Sequence, residues 1–518
     1  MKRNHPWRMA TNGMIVAGAV AFACVSGAGA GEVPVRDAGL DALLTQEAQR
    51  YIDRFPRLRE QARNIEVTVR ADLASRRIVV DLGAGALPDE DDGRIERFEQ
   101  ELGGIVDYFA REAGLTEPEG IRILYEGKEF KDYFPYEGEE QVRHRMEPRA
   151  AAGLVVVSAS HGLYRHHPGL DWRFQRPLIN SIREDEITPA YGDMLESLLE
   201  ERSEMTVRRA RSRESSDHDE AAQPWWKMSS RYHLKALYPE EPGIWHSLPN
   251  STDGDREIKE DIRARPKYAN FIKADGLISL HTNGSDNGSV RGAEVYYHQD
   301  KPEDRALADN MLCYMKEIVL AQQGYEAFPF RGPAKAGRHG ENRIGVMPSV
   351  IVEVAYHSNT EDALALQDPA FRTAAMKGVE KGYRLWREGK ACIPLALQRV
   401  TDITLPPHTV GDVEVHFEGH PRFPVTMEIT LLDCPQGSTC DGGQEVRKEP
   451  QDSPLTFEIE CGRGDHTRTS LWQTVLRDDD GVASKPVKHR LTCTGPAAAS
   501  HGRTQARGGR HAGRIGMW

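Results

Sequence analysis

The sequence predicts an α/β protein whose central domain is a mostly parallel, twisted sheet with helices on both faces. A small N-terminal α/β domain precedes it and a C-terminal β-sandwich follows. Three observations carry this prediction. Across 151–390, apolar runs such as GLVVVSAS, GLISLH and SVIVEVAY alternate with long helical stretches such as EDRALADNMLCYMKEIVLAQQG. Unbroken apolar strands separated by helices are the mark of a sheet covered on both faces. Across 395–495, VEVHFEG, VTMEITLLD, LTFEIECG and SLWQTVLRD are short alternating strands of a sandwich. The length of 518 residues accommodates two to four domains at about 100–200 residues each.

Taken in order, residues 1–30 form a secretory signal. Lys2, Arg3 and Arg8 precede the apolar run MIVAGAVAFACV, and AGA at 28–30 places cleavage after Ala30. The run is shorter than the about 20 residues that span a bilayer. No transmembrane segment is therefore expected, and the location is periplasmic or extracellular. Acylation at Cys24 is the alternative, although Phe22 and Ala23 are a poor context for it.

Residues 32–150 supply strands IEVTVRA, RIVVDLG and IRILYEG around the amphipathic helix RIERFEQELGGIVDYFAREAG. This unit faintly resembles GerMN-like domains of sporulation and wall proteins. Its plainest role is packing or targeting without chemistry. In 151–390 the strands are GLVVVSAS, MTVRRAR, GLISLH, GAEVYY and SVIVEVAY. Pro189 is tolerable only in the first turn of its helix, and Pro266 implies a kink or break. The polar insertion 212–257 contains three tryptophans, so part of it packs, as a lid, a sugar-contacting wall or a surface insertion. The tail 496–518 is rich in glycine and arginine and is expected to be disordered.

Composition bounds the function. A net charge of −12 gives no reason to expect nucleic acid as partner. Six of the seven cysteines remain after cleavage, and export permits disulfides. Cys434, Cys440, Cys461 and Cys493 admit three pairings. Cys313 reads first as a buried thiol, with Cys392 as a potential bridge partner.

Chemistry gathers in the central domain. His161 and His281 end two strands, Glu353 lies near the end of a third, and Glu184 opens a helix. Sites in open α/β sheets form beyond the carboxyl ends of the strands. Two imidazoles and one carboxylate with an open fourth position make a catalytic zinc site, beside which a free carboxylate acts as general base. A lone histidine at a strand end is more often structural. A glutamate inside SVIVEVAY is different, because burying a carboxylate costs several kcal/mol unless compensated. There is no HExxH and no GxSxG, which argues against common metalloproteases and serine hydrolases.

RPKYANFIKADGLISLHTN, GAEVYYH and MPSVIVEVAYHSNTED together resemble the zinc-dependent N-acetylmuramoyl-L-alanine amidases, the amidase-3 family, over about 151–387. The resemblance implies zinc bound by His161, Glu184 and His281, with Glu353 as catalytic base. It implies hydrolysis of the amide between N-acetylmuramic acid and L-alanine, with peptidoglycan as substrate. Wall or protein contacts fall to the flanking domains. The family's first loop reads Asp-Pro-Gly-His-Gly-Gly, whereas here it is Ser158-Ala159-Ser160-His161-Gly162-Leu163. The gap from His161 to Glu184 also looks longer than usual. Asp185 and Glu186 are therefore alternatives to Glu184, and His166 and His167 to His161. The blocking helix of division-linked amidases is expected to be absent, since HQDKPEDRAL runs straight into a helix; any lid would come from 212–257. The rival readings are another zinc amidohydrolase on the same fold and a non-catalytic wall-binding protein with a decayed site.

Overall fold

The computed structural model describes residues 35–58, 60–88, 93–134, 153–167, 169–495 and 515–517. The expected signal at 1–30, with Cys24, lies outside the described residues, as do 135–152 and most of the tail. Among the described residues no helix is long and apolar enough to cross a membrane.

The N-terminal part begins with α1 (Ala38–Arg54), a helix absent from the sequence reading. Asp37 caps it, accepting from the Gly39 and Leu40 N–H groups. Strands β1 (Val67–Asp72) and β2 (Arg77–Leu82) pair antiparallel. Helix α2 (Gly93–Glu112) then leads to β3 (Gly120–Tyr125), which pairs parallel to β2. Leu44, Ile52, Val69, Val80, Phe98 and Leu102 share one core.

The central sheet contains β4 (Leu154–Ala159), β5 (Thr206–Arg209), β6 (Gly276–Asn283), β7 (Glu294–His298), β8 (Lys335–Gly337) and β9 (Ser349–Tyr356). Their order is β8-β7-β9-β6-β4-β5. β6 runs parallel to β4 and β9, and β5 parallel to β4, while β7 is antiparallel to β9. Alternate residues of each strand enter different cores, as the pleat requires. Val155 and Val157 pack with Leu195 of α3 (Glu184–Ser203), Met311 of α5 (Pro302–Leu320) and Val379 of α6 (Pro369–Arg387). Val156 and Leu277 pack on the opposite face with Ala264 and Tyr268 of α4 (Arg256–Phe271).

Pro189 corrects the sequence expectation, and Pro266 does not break its helix. Pro189 stands in the second turn of α3, and the helix continues through it. The Asp185 carbonyl, which Pro189 cannot bond, accepts instead from Arg211 Nη2 at 2.7 Å. α4 likewise runs through Pro266. The insertion 212–257 is ordered by packing: Leu234 and Ile244 join the core of Ala264 and Tyr268.

Beyond residue 395 lie two five-stranded sheets. One contains Thr409–Glu418 and Leu455–Cys461, the other Val425–Asp433, Arg468–Arg477 and Val487–Cys493. Cys461–Cys493 bridges the two, and Trp472 is wholly buried in their common core. Cys434 pairs with Cys440. Cys313 is not a free thiol; it pairs with Cys392 and so ties α5 to the segment leading into the C-terminal sheets. Ile515–Met517 adds a short strand beside Leu455–Cys461, so the tail is not disordered throughout. An unfilled strand edge captures an apolar segment even from a glycine-rich tail.

Asp480 locks the C-terminal sheets onto the central domain, pairing with Arg202 of α3 at 2.6 Å and Lys377 of α6 at 3.0 Å. Burial pushes its carboxyl up, but hydrogen bonds and charge from Arg202 and Lys377 outweigh this and hold it below its usual range. A carboxylate depressed on folding stabilises fully above its unfolded pKa of about 4, and the gain is lost as pH falls through the folded value. Asp480→Asn should therefore lower stability at pH 7 and shrink the loss on acidification below about pH 4, read by thermal unfolding across pH. Replacing Cys313 and Cys392 together by serine should cost about 2–4 kcal/mol in urea unfolding, because the bridge closes a long loop.

Candidate metal centre

The carboxyl ends of β4, β6 and β9 lie side by side. Ala159 pairs with Leu280, and His281 with Glu353. His161, two residues beyond β4, therefore comes level with the end of β6. Glu184, the first residue of α3, faces the same edge. The turn after His161 requires glycine: Gly162 has φ +130°, and a Cβ there would meet the Ser229 nitrogen at 2.7 Å. Residues 228–229 thus back the His161 loop directly. This backing contact is one contribution of the 212–257 insertion.

Three of the four expected residues converge on one point. Glu184 Oε1 lies 3.4 Å from His161 Nε2 and 3.0 Å from His281 Nδ1. The two imidazoles meet edge to face with centroids 4.9 Å apart. His161, Glu184 and His281 are all buried, and their ligand atoms lie within 4.8 Å of one another, so the group could hold a metal ion. Ser160 Oγ and the Thr282 N–H donate to Glu184 Oε1 at 3.1 and 3.2 Å and fix the carboxylate. Arg176 Nε approaches the other oxygen at 3.4 Å.

Each imidazole is also held from behind. His161 Nδ1 donates to Gln175 Oε1 at 3.0 Å, and Gln175 Nε2 donates to Asp261 Oδ2 at 3.0 Å. His281 Nε2 meets Glu341 Oε2 at 3.1 Å. Arg265 of α4 bonds both Asp261 and Glu341 and closes the chain of contacts. The tautomers follow: His161 presents Nε2 to the centre and His281 presents Nδ1. His161 Nε2 is buried and makes no hydrogen bond, as suits a donor aimed at an ion. Two neutral nitrogens and an anionic oxygen match the donor set of a catalytic zinc ion.

Electrostatics favours a cation here. Burial would lower His281, but the Glu341 charge and the hydrogen bonds that Glu184 and Glu341 accept from it raise it to about 10. Burial and the Arg176 charge lower His161 to about 3. Burial pushes Glu184 up, yet the two histidines hold it well below its usual range.

The alternative residues have other partners. Asp185 accepts from the N–H groups of Gly162, Gln175 and Arg176 at 2.8–3.0 Å and organises the long 162–183 excursion. Glu186 pairs with Arg183 at 2.8 Å and Lys227 at 3.0 Å. His166 Nδ1 lies 3.8 Å from Asp255, and neither it nor His167 belongs to the convergent group.

Glu353 stands beside this group, buried, with Oε2 making no hydrogen bond among the described residues. Burial raises it to about 8, the His281 charge opposing and the Glu184 charge adding. Its Oε1 accepts from Gln100 Nε2 of α2 at 3.0 Å. Gln100, Gln175, Asp261, Arg265 and Glu341 were all missed in the sequence. Arg265 lay inside a motif already singled out, RPKYAN; the others sit in polar stretches where a charged or amide residue carries no signal.

Residues 155–383 match the sequence model of the Amidase_3 family, described as N-acetylmuramoyl-L-alanine amidase. The chain is 25% identical over 130 residues to LytH of Staphylococcus epidermidis, a probable cell wall amidase, covering 24% of this chain and 40% of that protein. It is 27% identical over 121 residues to LytC of Bacillus subtilis, an N-acetylmuramoyl-L-alanine amidase, covering 23% of each. The chain thus spans well under half the length of these curated relatives. Among solved structures, the catalytic domain of CwlV from Bacillus (Paenibacillus) polymyxa var. colistinus is 20% identical, over 45% of this chain and 97% of that one, with a TM-score of 0.31. Residues 155–383 of this chain are thus similar to the Amidase_3 family.

Proposed function

We propose that this chain is an exported, zinc-dependent amidase that hydrolyses the amide between N-acetylmuramic acid and L-alanine of the peptidoglycan stem peptide. The convergence of His161, Glu184 and His281, with the free carboxylate of Glu353 beside them, carries this reading. His161 Nε2, Glu184 and His281 Nδ1 would hold the zinc ion. That ion would supply positive charge that polarises the scissile carbonyl and makes a water molecule acidic near neutral pH.

This chain's residues divide the remaining work. Glu353 takes the proton of the attacking water at its unbonded Oε2 and later returns it to the departing L-alanine nitrogen. Glu341 and Gln175 keep the two imidazoles in the donor tautomers. Ser160 and Thr282 hold the Glu184 carboxylate in place. The units at 32–150 and 395–495 are proposed to serve contact with the wall or with partner proteins.

Glu353→Gln should lower kcat on purified peptidoglycan about 10²–10⁴-fold while zinc content stays at the parent level. Loss of zinc in that variant would place Glu353 among the ligands instead. His281→Ala should abolish both zinc content and hydrolysis. Glu341→Ala should weaken zinc affinity about 10–100-fold, with partial recovery in Glu341→Gln, measured by competition with a chelating indicator. Products released by the parent chain should carry a free L-alanine amino terminus. A purified protein that binds no zinc and leaves peptidoglycan intact sinks the amidase reading in favour of a binding role.

A further inference from the structure

The four side chains of the proposed chemistry are almost inaccessible. His161 is 1% exposed, Glu184 3%, Glu353 4% and His281 8%. The element that lies on Glu353 comes from the N-terminal domain.

Helix α2 presents two stripes at helical spacing. Ile95, Phe98, Leu102 and Val106 face the core of its own domain. Gln100, Gly104, Asp107 and Arg111 face the central domain. Gln100 Nε2 donates to Glu353 Oε1 at 3.0 Å and lies 3.4 Å from Asn283 Oδ1, and its carbonyl accepts from His339 Nε2 at 3.3 Å. The Gly104 carbonyl accepts from Arg331 Nη2 at 3.2 Å. Asp107 is buried between Arg331 and Lys335, the latter at 3.2 Å. Arg111 donates to the Gly332 carbonyl at 2.7 Å. Next to Gln100, Glu99 pairs with Arg338 at 2.9 Å.

These contacts are polar throughout. The apolar stripe of α2 is already covered by its own domain, so lifting the helix off exposes little hydrophobic surface. Interfaces of this character between domains are those that open and close. The segment after β7 enters α5 at Pro302, and the contact made on Glu353 is that of Gln100 of α2. We propose that the N-terminal domain is an autoinhibitory cover, with Gln100 capping Glu353 and Asp107 acting as the latch, and that it must swing aside before substrate enters. This rests on the amidase reading of the site that it covers.

The experiment uses the full chain with two variants. Asp107→Asn weakens the latch. Gly104→Trp drives a wedge against Tyr356, whose hydroxyl lies 3.6 Å from where a Cβ would stand. Both should hydrolyse purified peptidoglycan about tenfold or more faster than the parent, as expected when a minor open state becomes populated. Backbone hydrogen exchange across 353–359 should also quicken in both. Hydrolysis that is unchanged or slower in both folded variants overturns the cover and makes α2 a fixed part of the site. If parent and variants alike leave peptidoglycan intact, the amidase reading fails, and exchange alone decides the cover: faster exchange upholds it and unchanged exchange refutes it.

Discussion

Placing Glu184 and Glu353 together at the buried edge of a sheet is costly, since each ion removed from water forfeits several kcal/mol of hydration. The surrounding structure is arranged around that cost. Glu184 is compensated by two imidazoles, a hydroxyl, a backbone N–H and Arg176. Among the described residues, Glu353 has only Gln100 as hydrogen-bond donor and keeps one oxygen free. The same edge thus holds one well-compensated carboxylate suited to a ligand and one under-compensated carboxylate suited to moving protons.

This asymmetry explains why the supporting residues come from so many elements. Arg265 on α4 bonds Asp261 and Glu341; Glu341 contacts His281 directly, and Asp261 reaches His161 through Gln175. A single guanidinium with a planar fork can satisfy two carboxylates at once, which an ammonium cannot do with the same geometry. The divergent loop after β4 is stabilised in the same way. Asp185 ties down three N–H groups of the 162–183 excursion, and Gly162 lets residues 228–229 pack against it. The departures of this loop from the family pattern therefore leave the histidine where the sheet edge needs it.

The N-terminal unit keeps a core of its own and meets the central domain through buried charge, whereas the C-terminal sheets share one apolar cluster with the central domain and add buried charge to it. Asp107 and Asp480 each sit between two or more cations supplied by the central domain. Paired charges at such junctions fix geometry and remain separable, since both partners can be rehydrated when the surfaces part.

Much of this was legible in the residue pattern. Apolar runs of period two and helical runs of period 3.6 located the central strands and long helices, because local geometry determines both periods. The oddity of a glutamate in SVIVEVAY and of histidines closing GLISLH and VVVSAS marked His161, His281 and Glu353, and the helix start marked Glu184. Tertiary structure alone decided the rest. It chose the Cys313–Cys392 bridge, carried α3 through Pro189 by lending Arg211, and selected Glu184 over Asp185 and Glu186. It also brought Gln100 and Glu341 to the site from positions 253 and 60 residues away from their partners. The physical reason is that periodicity reports which face of an element is buried, whereas the partner of a polar side chain depends on where distant segments meet.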